Sequence, residues 1–264
     1  MYLLNILNKY AARDLSDYRS EIITLINRIA QWAGNHYINT YESGSRPKGT
    51  ATSIASDVDY LVSLRNGINL FDYARLEDIY NSLYIELQKH YQNVRKQNVS
   101  IRIELYGRGL LDRIEVDITP GRKHPGNTND HSLYVSKENT WKKTNIQRHI
   151  NDVKQSGRTN EIKLLKVWRE LNELDFPSIY LEYLVITDIL HGKPIGLEHL
   201  SDNLNHILNK LAKPIDNPLL SSKIIDPANQ GNILSNLLSQ REKDSIRSAA
   251  YEATRKTYWN EVFH

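Results

Sequence analysis

Two hydrophobic periods divide the chain. From Leu3 to Trp32 apolar residues recur at helical spacing, Leu3, Leu4, Leu7 and Tyr10 first, then Ile22, Ile23, Leu25, Ile26 and Ile29. This predicts a long N-terminal helix, kinked near Asp14 to Ser16, where Ser16 or Asp17 can cap its second stretch. The period then becomes two. Strands are predicted near 38–43, 57–64, 98–106 and 111–119, with an amphipathic helix over about 72–92 between the second and third. Val99, Ile101, Ile103 and Leu105 alternate with polar residues, as do Ile114, Val116 and Ile118, and the short link Gly107 to Gly109 predicts an antiparallel hairpin. After Gly126 the pattern is helical almost to the end, over about 144–156, 160–174, 178–191, 197–212 and 231–258. Pro120, Gly121, Pro125 and Gly126 cluster where two lobes would join, which places one lobe at 1–140 and a helical one at 141–264.

Composition narrows the class. With 264 residues, 40% hydrophobic and 25% charged, the chain can bury a substantial core as one large domain or two joined lobes. A net charge of +3 gives no strong nucleic-acid footprint. The absence of cysteine excludes disulfides and thiolate metal sites. The N-terminus is too broken by polar residues for a signal peptide, and no uninterrupted apolar run is long enough to span a bilayer. A cytoplasmic protein with no membrane segment is expected.

Candidate chemistry concentrates in Tyr41 to Leu64, YESGSRPKGTATSIASDVDYLVSL. Gly44-Ser45 precedes an Asp-x-Asp, Asp57 and Asp59, that opens an apolar strand. Side chains alternate along a strand, so Asp57 and Asp59 share one face while Val58, Tyr60 and Val62 enter a core. Two like charges so placed repel unless a cation sits between them. The later strand adds Asp117 on its polar face, with Arg113, Glu115 and Thr119. A Gly-Ser pair alone is more often a turn, and a single acidic strand position more often a solvated face. The ordered set points elsewhere: donors for a triphosphate, then three carboxylates for a two-metal site. Lys163, Lys166 and Arg169 share a helix face; charge rows of this kind are usually solvated, which is the reading for Lys163 and Arg169. His199 and His206 form no metal-binding motif, and there is no GxGxxG or Walker A loop.

The arrangement GSRPKGT…SDVDYLV…RIEVDITP resembles the nucleotidyltransferase superfamily that includes DNA polymerase beta. Within it the chain is similar to the bacterial cGAS/DncV-like nucleotidyltransferases (CD-NTases) and their animal oligoadenylate-synthase relatives. HSLYVSKENTWKKTNIQRHINDVKQ, with Trp141 and Thr144-Asn145, resembles the family's connector from a small strand into a helix, although Ile146 stands where relatives often have Pro. EIKLLKVWRELNEL, SIYLEYLVITDIL and IIDPANQGNILS carry the likeness to the end of the chain.

The resemblance implies an α/β (α+β) fold of two lobes, a mixed-sheet nucleotidyltransferase core and an OAS-C-like helical lobe. It implies that Gly44 and Ser45 hold the β- and γ-phosphates with Lys166 and Ser178, and that Asp57 and Asp59 ligate two Mg2+ (or Mn2+) ions. Asp117 would ligate only the ion that activates a 2′- or 3′-hydroxyl. NTP substrates, ATP and/or others, would become a cyclic or linear oligonucleotide second messenger in antiviral defence. The first transfer follows from the residues, whereas cyclisation rests on the resemblance. An activating protein or nucleic acid is also implied, the latter near Arg13, Arg19 and Arg28. Pro177 and Ile179 depart from relatives, many of which carry Lys and a base-stacking aromatic there; Tyr180 lies one place further along. Asp226-Pro227 reads as a structural turn. The competing functions are nucleotide transfer to an RNA or protein acceptor, and non-catalytic nucleotide binding.

Overall fold

The computed structural model describes residues 2–54, 57–65, 75–107 and 112–264. Helices α1 (Tyr2–Lys9) and α2 (Arg19–Ala33) precede strand β1 (Tyr37–Ser43), the short helix α3 (Ser45–Lys48) and strand β2 (Val58–Leu64). Helix α4 (Leu76–Gln88) leads to β3 (Arg95–Lys96), β4 (Ile101–Tyr106), β5 (Arg113–Lys123), β6 (His131–Val135) and β7 (Thr140–Thr144). Then follow α5 (Ile146–Gln155), α6 (Thr159–Leu171), α7 (Ser178–Leu184), α8 (Leu200–Ala212), α9 (Pro218–Ser221), the hairpin β8 (Ile225–Asp226) and β9 (Asn229–Ile233), α10 (Gln240–Thr254) and α11 (Trp259–Val262). Of the described residues, those within 14–47 and 57–148 form one compact unit, and those within 1–13, 48–56 and 149–264 form the other.

In the first unit the strands run β1-β2-β5-β4-β3, with β6 on the far end of β5 and β7 beside β6. The sheet is mixed: β2 and β5 are parallel, whereas β1–β2, β4–β5 and β5–β6 are antiparallel. One face carries Val58, Tyr60, Val62, Ile101, Ile103, Val116 and Ile118, all buried against Leu25 and Ile29 of α2 and Ile79 and Leu83 of α4. The predicted β4–β5 hairpin is present, with Tyr106 opposite Arg113; Gly109 of its link and Leu111 lie outside the described residues, as do residues 72–74 of the expected 72–92 helix.

The second unit is built on α6, α7, α8 and α10 around Leu164, Leu165, Trp168, Leu181, Leu204, Ile207 and Ile246, with Leu3 and Ile6 of α1 packed into the same core. Two expected helices are interrupted. The N-terminal one breaks completely after Lys9: Ala11 bridges to Thr52, and Asp14 accepts both the Ser16 N–H at 3.0 Å and its hydroxyl at 2.9 Å. These local bonds compete with helix continuation. The expected 231–258 helix begins only at Gln240. Before it, Asp226 accepts the Ala228 N–H at 2.9 Å and the Asn232 amide at 3.0 Å, which folds Asn229–Ile233 back as a strand. Ser239 and Glu242 then close a reciprocal capping box, which sets the start of α10.

Candidate active site

The register of the sheet assembles the acidic residues. Asp59 on β2 lies directly opposite Asp117 on the parallel strand β5, and Asp117 lies opposite Arg102 on β4. Their neighbours Val58, Val116, Ile101 and Ile103 are buried, so alternation turns Asp59, Asp117 and Arg102 to the other face, where Asp57 joins them from the start of β2. The Arg102 guanidinium gathers this face. Its Nε and Nη2 donate to the two oxygens of Asp117 at 2.9 and 2.7 Å, Nη2 donates to Asp57 at 2.5 Å, and Nη1 to Glu115 at 2.6 Å.

Sequence patterning flagged the three aspartates and missed Arg102. The signal was present: Ile101 and Ile103 inward place Arg102 outward, and the hairpin puts it beside the polar face of β5.

Burial pushes the Asp57 carboxyl above its ordinary value; Arg102 opposes this, and the Asp117 and Glu115 carboxylates add to it. The hydrogen bonds it donates to Asp117 raise the Arg102 guanidinium, already a strong base, further still. Among the described residues no three carboxylate or imidazole groups converge at metal-ligand spacing. The donor chemistry nonetheless fits a hard divalent ion: carboxylate oxygens from two strands face one way, and a cation already holds two of the three groups.

Gly44 is fixed by Asp59. It follows β1, whose Ser43 pairs with Asp59, and its φ is +68°. A Cβ at Gly44 would stand 1.8 Å from Asp59 Oδ2 and 2.9 Å from Asp59 Cβ, so the backbone of the Gly-Ser turn and this carboxylate touch. Gly44→Ala is expected to destabilise the protein by about 2–4 kcal/mol, from the left-handed backbone and the overpacking together. Urea unfolding measures this; an unchanged midpoint would mean that Asp59 moves aside at no cost. Ser45 opens α3.

No protein-family profile matches the chain. A curated relative, the cyclic AMP-AMP-AMP synthase of Escherichia coli strain MS 115-1, is 24% identical over 296 aligned residues, covering 94% of this chain and 90% of the relative. Among solved structures, CdnC of E. coli MS115-1 in its complex with HORMA-deltaN superposes with a TM-score of 0.74 at 21% identity, covering 99% of this chain and 95% of that one. The Bradyrhizobium diazoefficiens CD-NTase CdnG, bound to GTP, gives 0.70 at 13% identity over 91% and 85%. The fold is the one these CD-NTase structures share.

The remaining residues implied by the CD-NTase likeness lie in the helical unit. Lys166 is fully buried, and its ammonium donates to Glu182 at 2.8 Å and Thr50 at 3.1 Å. Lys48 donates to the other oxygen of Glu182 at 2.7 Å, and Thr50 donates to the first at 3.0 Å. Two ammoniums thus share one carboxylate. Burial would raise Glu182, but Lys48 and Lys166 overturn this and hold it down to about 2; burial pushes Lys166 down as well.

Arg169 is not on a solvated face, contrary to expectation. It is buried, donating to the Phe176 carbonyl at 2.8 Å and the Ser178 hydroxyl at 3.0 Å. Three polar positions of α6, Glu161, Lys166 and Arg169, are buried, whereas Lys163 is only half-buried. Tyr180 is fully buried edge-on to Phe176 and presents no stacking surface. Asp226 is a structural pin, bonded to His149 at 2.8 Å as well as to its own hairpin.

Proposed function

We propose that the protein is a divalent-metal-dependent nucleotidyltransferase that condenses nucleoside triphosphates into a cyclic or linear oligonucleotide signal. One observation carries the reading: Asp59 pairs in register with Asp117, shares its face with Asp57, and lies against the backbone of Gly44. In this reading the Gly-Ser turn that would hold the triphosphate adjoins the carboxylates that would hold the metal. The relative's name, a cyclic AMP-AMP-AMP synthase, supports a cyclic product.

In this proposal Asp57, Asp59 and Asp117 hold magnesium or manganese. The bound metal would lower the pKa of the attacking hydroxyl and offset the triphosphate charge. Gly44 N–H and the Ser45 hydroxyl orient the β- and γ-phosphates; phosphate contacts for Lys166 and Ser178 rest on the CD-NTase likeness alone. Ser178 accepts from Arg169, which leaves its hydroxyl hydrogen to donate, whereas Lys166 has to exchange Glu182 for a phosphate. The 2′- or 3′-hydroxyl oxygen of one nucleotide bonds to the α-phosphorus of the next. The bond to the pyrophosphate oxygen breaks in line, and the hydroxyl proton passes to water.

Activation is proposed to come from a partner protein, since CdnC of E. coli is seen with HORMA-deltaN. A nucleic-acid activator has less support: Arg28 lies over the Tyr91 ring at 5.2 Å, and no helix of the described residues is a dense basic stripe. The proposed setting is cytoplasmic antiviral signalling.

Incubating the purified protein with mixed labelled NTPs and magnesium or manganese, with and without an RNA acceptor and cell extract, tests the function. Oligonucleotides resolved by mass, weak with protein alone and increased by extract, are expected. Label found only on RNA 3′ ends would make it a tailing enzyme, and nucleotide binding without any product a retired one. Robust synthesis unchanged by extract would remove the partner switch.

A further inference from the structure

Arg102 has no role in the transfer chemistry above, yet its position is tightly determined. Ile101 and Ile103 on either side are fully buried, so β4 cannot turn and the Arg102 side chain must rise from the acidic face. It is only 21% exposed there, and its fork occupies both oxygens of Asp117 and one of Asp57. Those are lone pairs that a divalent ion would need. A bidentate guanidinium and a metal ion cannot hold the same oxygens, and two cations so close repel strongly. Glu115 offers the guanidinium a second anchor at 2.6 Å on the same face, and Arg95 at 2.7 Å keeps Glu115 in place.

We propose that Arg102 is the resident counter-cation of the acidic triad, and that a divalent ion takes Asp57 and Asp117 only by displacing its guanidinium, which keeps its bond to Glu115. This rests on the reading of the triad as a metal site. Without metal, Arg102 relieves the repulsion among the carboxylates and keeps the sheet face folded. It also lowers the affinity for a bare ion, so metal loads together with a triphosphate, whose oxygens add ligands.

Mn2+ titration of the full chain without nucleotide, followed by the electron spin resonance of unbound Mn2+, tests this against Arg102→Gln, Arg102→Lys and Asp117→Asn. Arg102→Gln is expected to bind Mn2+ about tenfold more tightly than wild type, or better, the worth of one charge-assisted contact. Its melting temperature should fall without metal and rise further than the wild type's on adding Mn2+. Arg102→Lys should lie between the two, because an ammonium keeps the charge but loses the fork. If Arg102→Gln is unfolded without metal, Arg102→Lys carries the comparison. Asp117→Asn should bind more weakly. Mn2+ bound by wild type, but no more tightly by either Arg102 variant, overturns the exchange and leaves the metal reading standing. Mn2+ bound by none of the four proteins overturns both.

Discussion

Asp57→Asn and Asp59→Asn are expected to cut product formation about a thousandfold or more with the fold intact, and Asp117→Asn to do so while still binding nucleotide with metal. Each change preserves shape and removes one negative charge from the face that would carry the ions. Metal charge stabilisation of the transition state is worth several kcal/mol, and about 1.4 kcal/mol is tenfold in rate. The fold should survive because no variant strands a buried charge. In Asp117→Asn the guanidinium still has Asp57 and Glu115, and Asp57 itself is 44% exposed. Initial rates by mass-resolved product, binding of a fluorescent triphosphate and thermal melts check the three effects separately. Wild-type rates in both Asp57→Asn and Asp59→Asn would sink the metal platform. Loss of nucleotide binding as complete as the loss of chemistry in Asp117→Asn would show that the division of roles is wrong.

What could be read without coordinates depended on how local the determining pattern was. The alternation of Ile101, Ile103, Val116 and Ile118 is a period-two signal inside single strands, so it gave the hairpin and put the aspartates on one face. Arg102 required the register between strands, and the link that sets it runs through residues whose length in the turn no pattern fixes. The break after Lys9 arises from Asp14 bonding its own neighbours and from Ala11 pairing with distant Thr52, while the apolar spacing across it remains helical. At the other end, Ser239 and Glu242 form a capping box that reads directly from the sequence and marks the true start of α10; the apolar residues upstream obscured it. Lys166 illustrates the opposite limit. Its partners Thr50 and Glu182 are 116 and 16 residues away, and no spacing rule connects them. The one trace was Glu182 itself, an acid inside the apolar run Tyr180-Leu181-Glu182-Tyr183-Leu184, where an unpaired charge is not tolerated.

That buried acid supports the second large effect. Glu182→Gln keeps the volume of the side chain but leaves the Lys48 and Lys166 ammoniums sharing a neutral amide inside the helical unit. Removing one partner from a buried ion pair costs about 3–5 kcal/mol, far more than an exposed pair is worth. The urea midpoint of Glu182→Gln is therefore expected to drop sharply at neutral pH. Adding Lys166→Met should recover much of the loss, because the excess buried charge disappears with it. The pH dependence has a definite sign. Glu182 is held down to about 2 in the folded chain against an ordinary carboxyl value of 4.5, so its contribution is full above 4.5 and is lost as the pH falls from there toward 2. Wild type should lose stability through that window more steeply than Glu182→Gln, and the two unfolding curves should converge at the acid end. Parallel curves across the window would mean that Glu182 is already protonated when folded. In that case the two lysines, not the carboxylate, set the charge of the cluster.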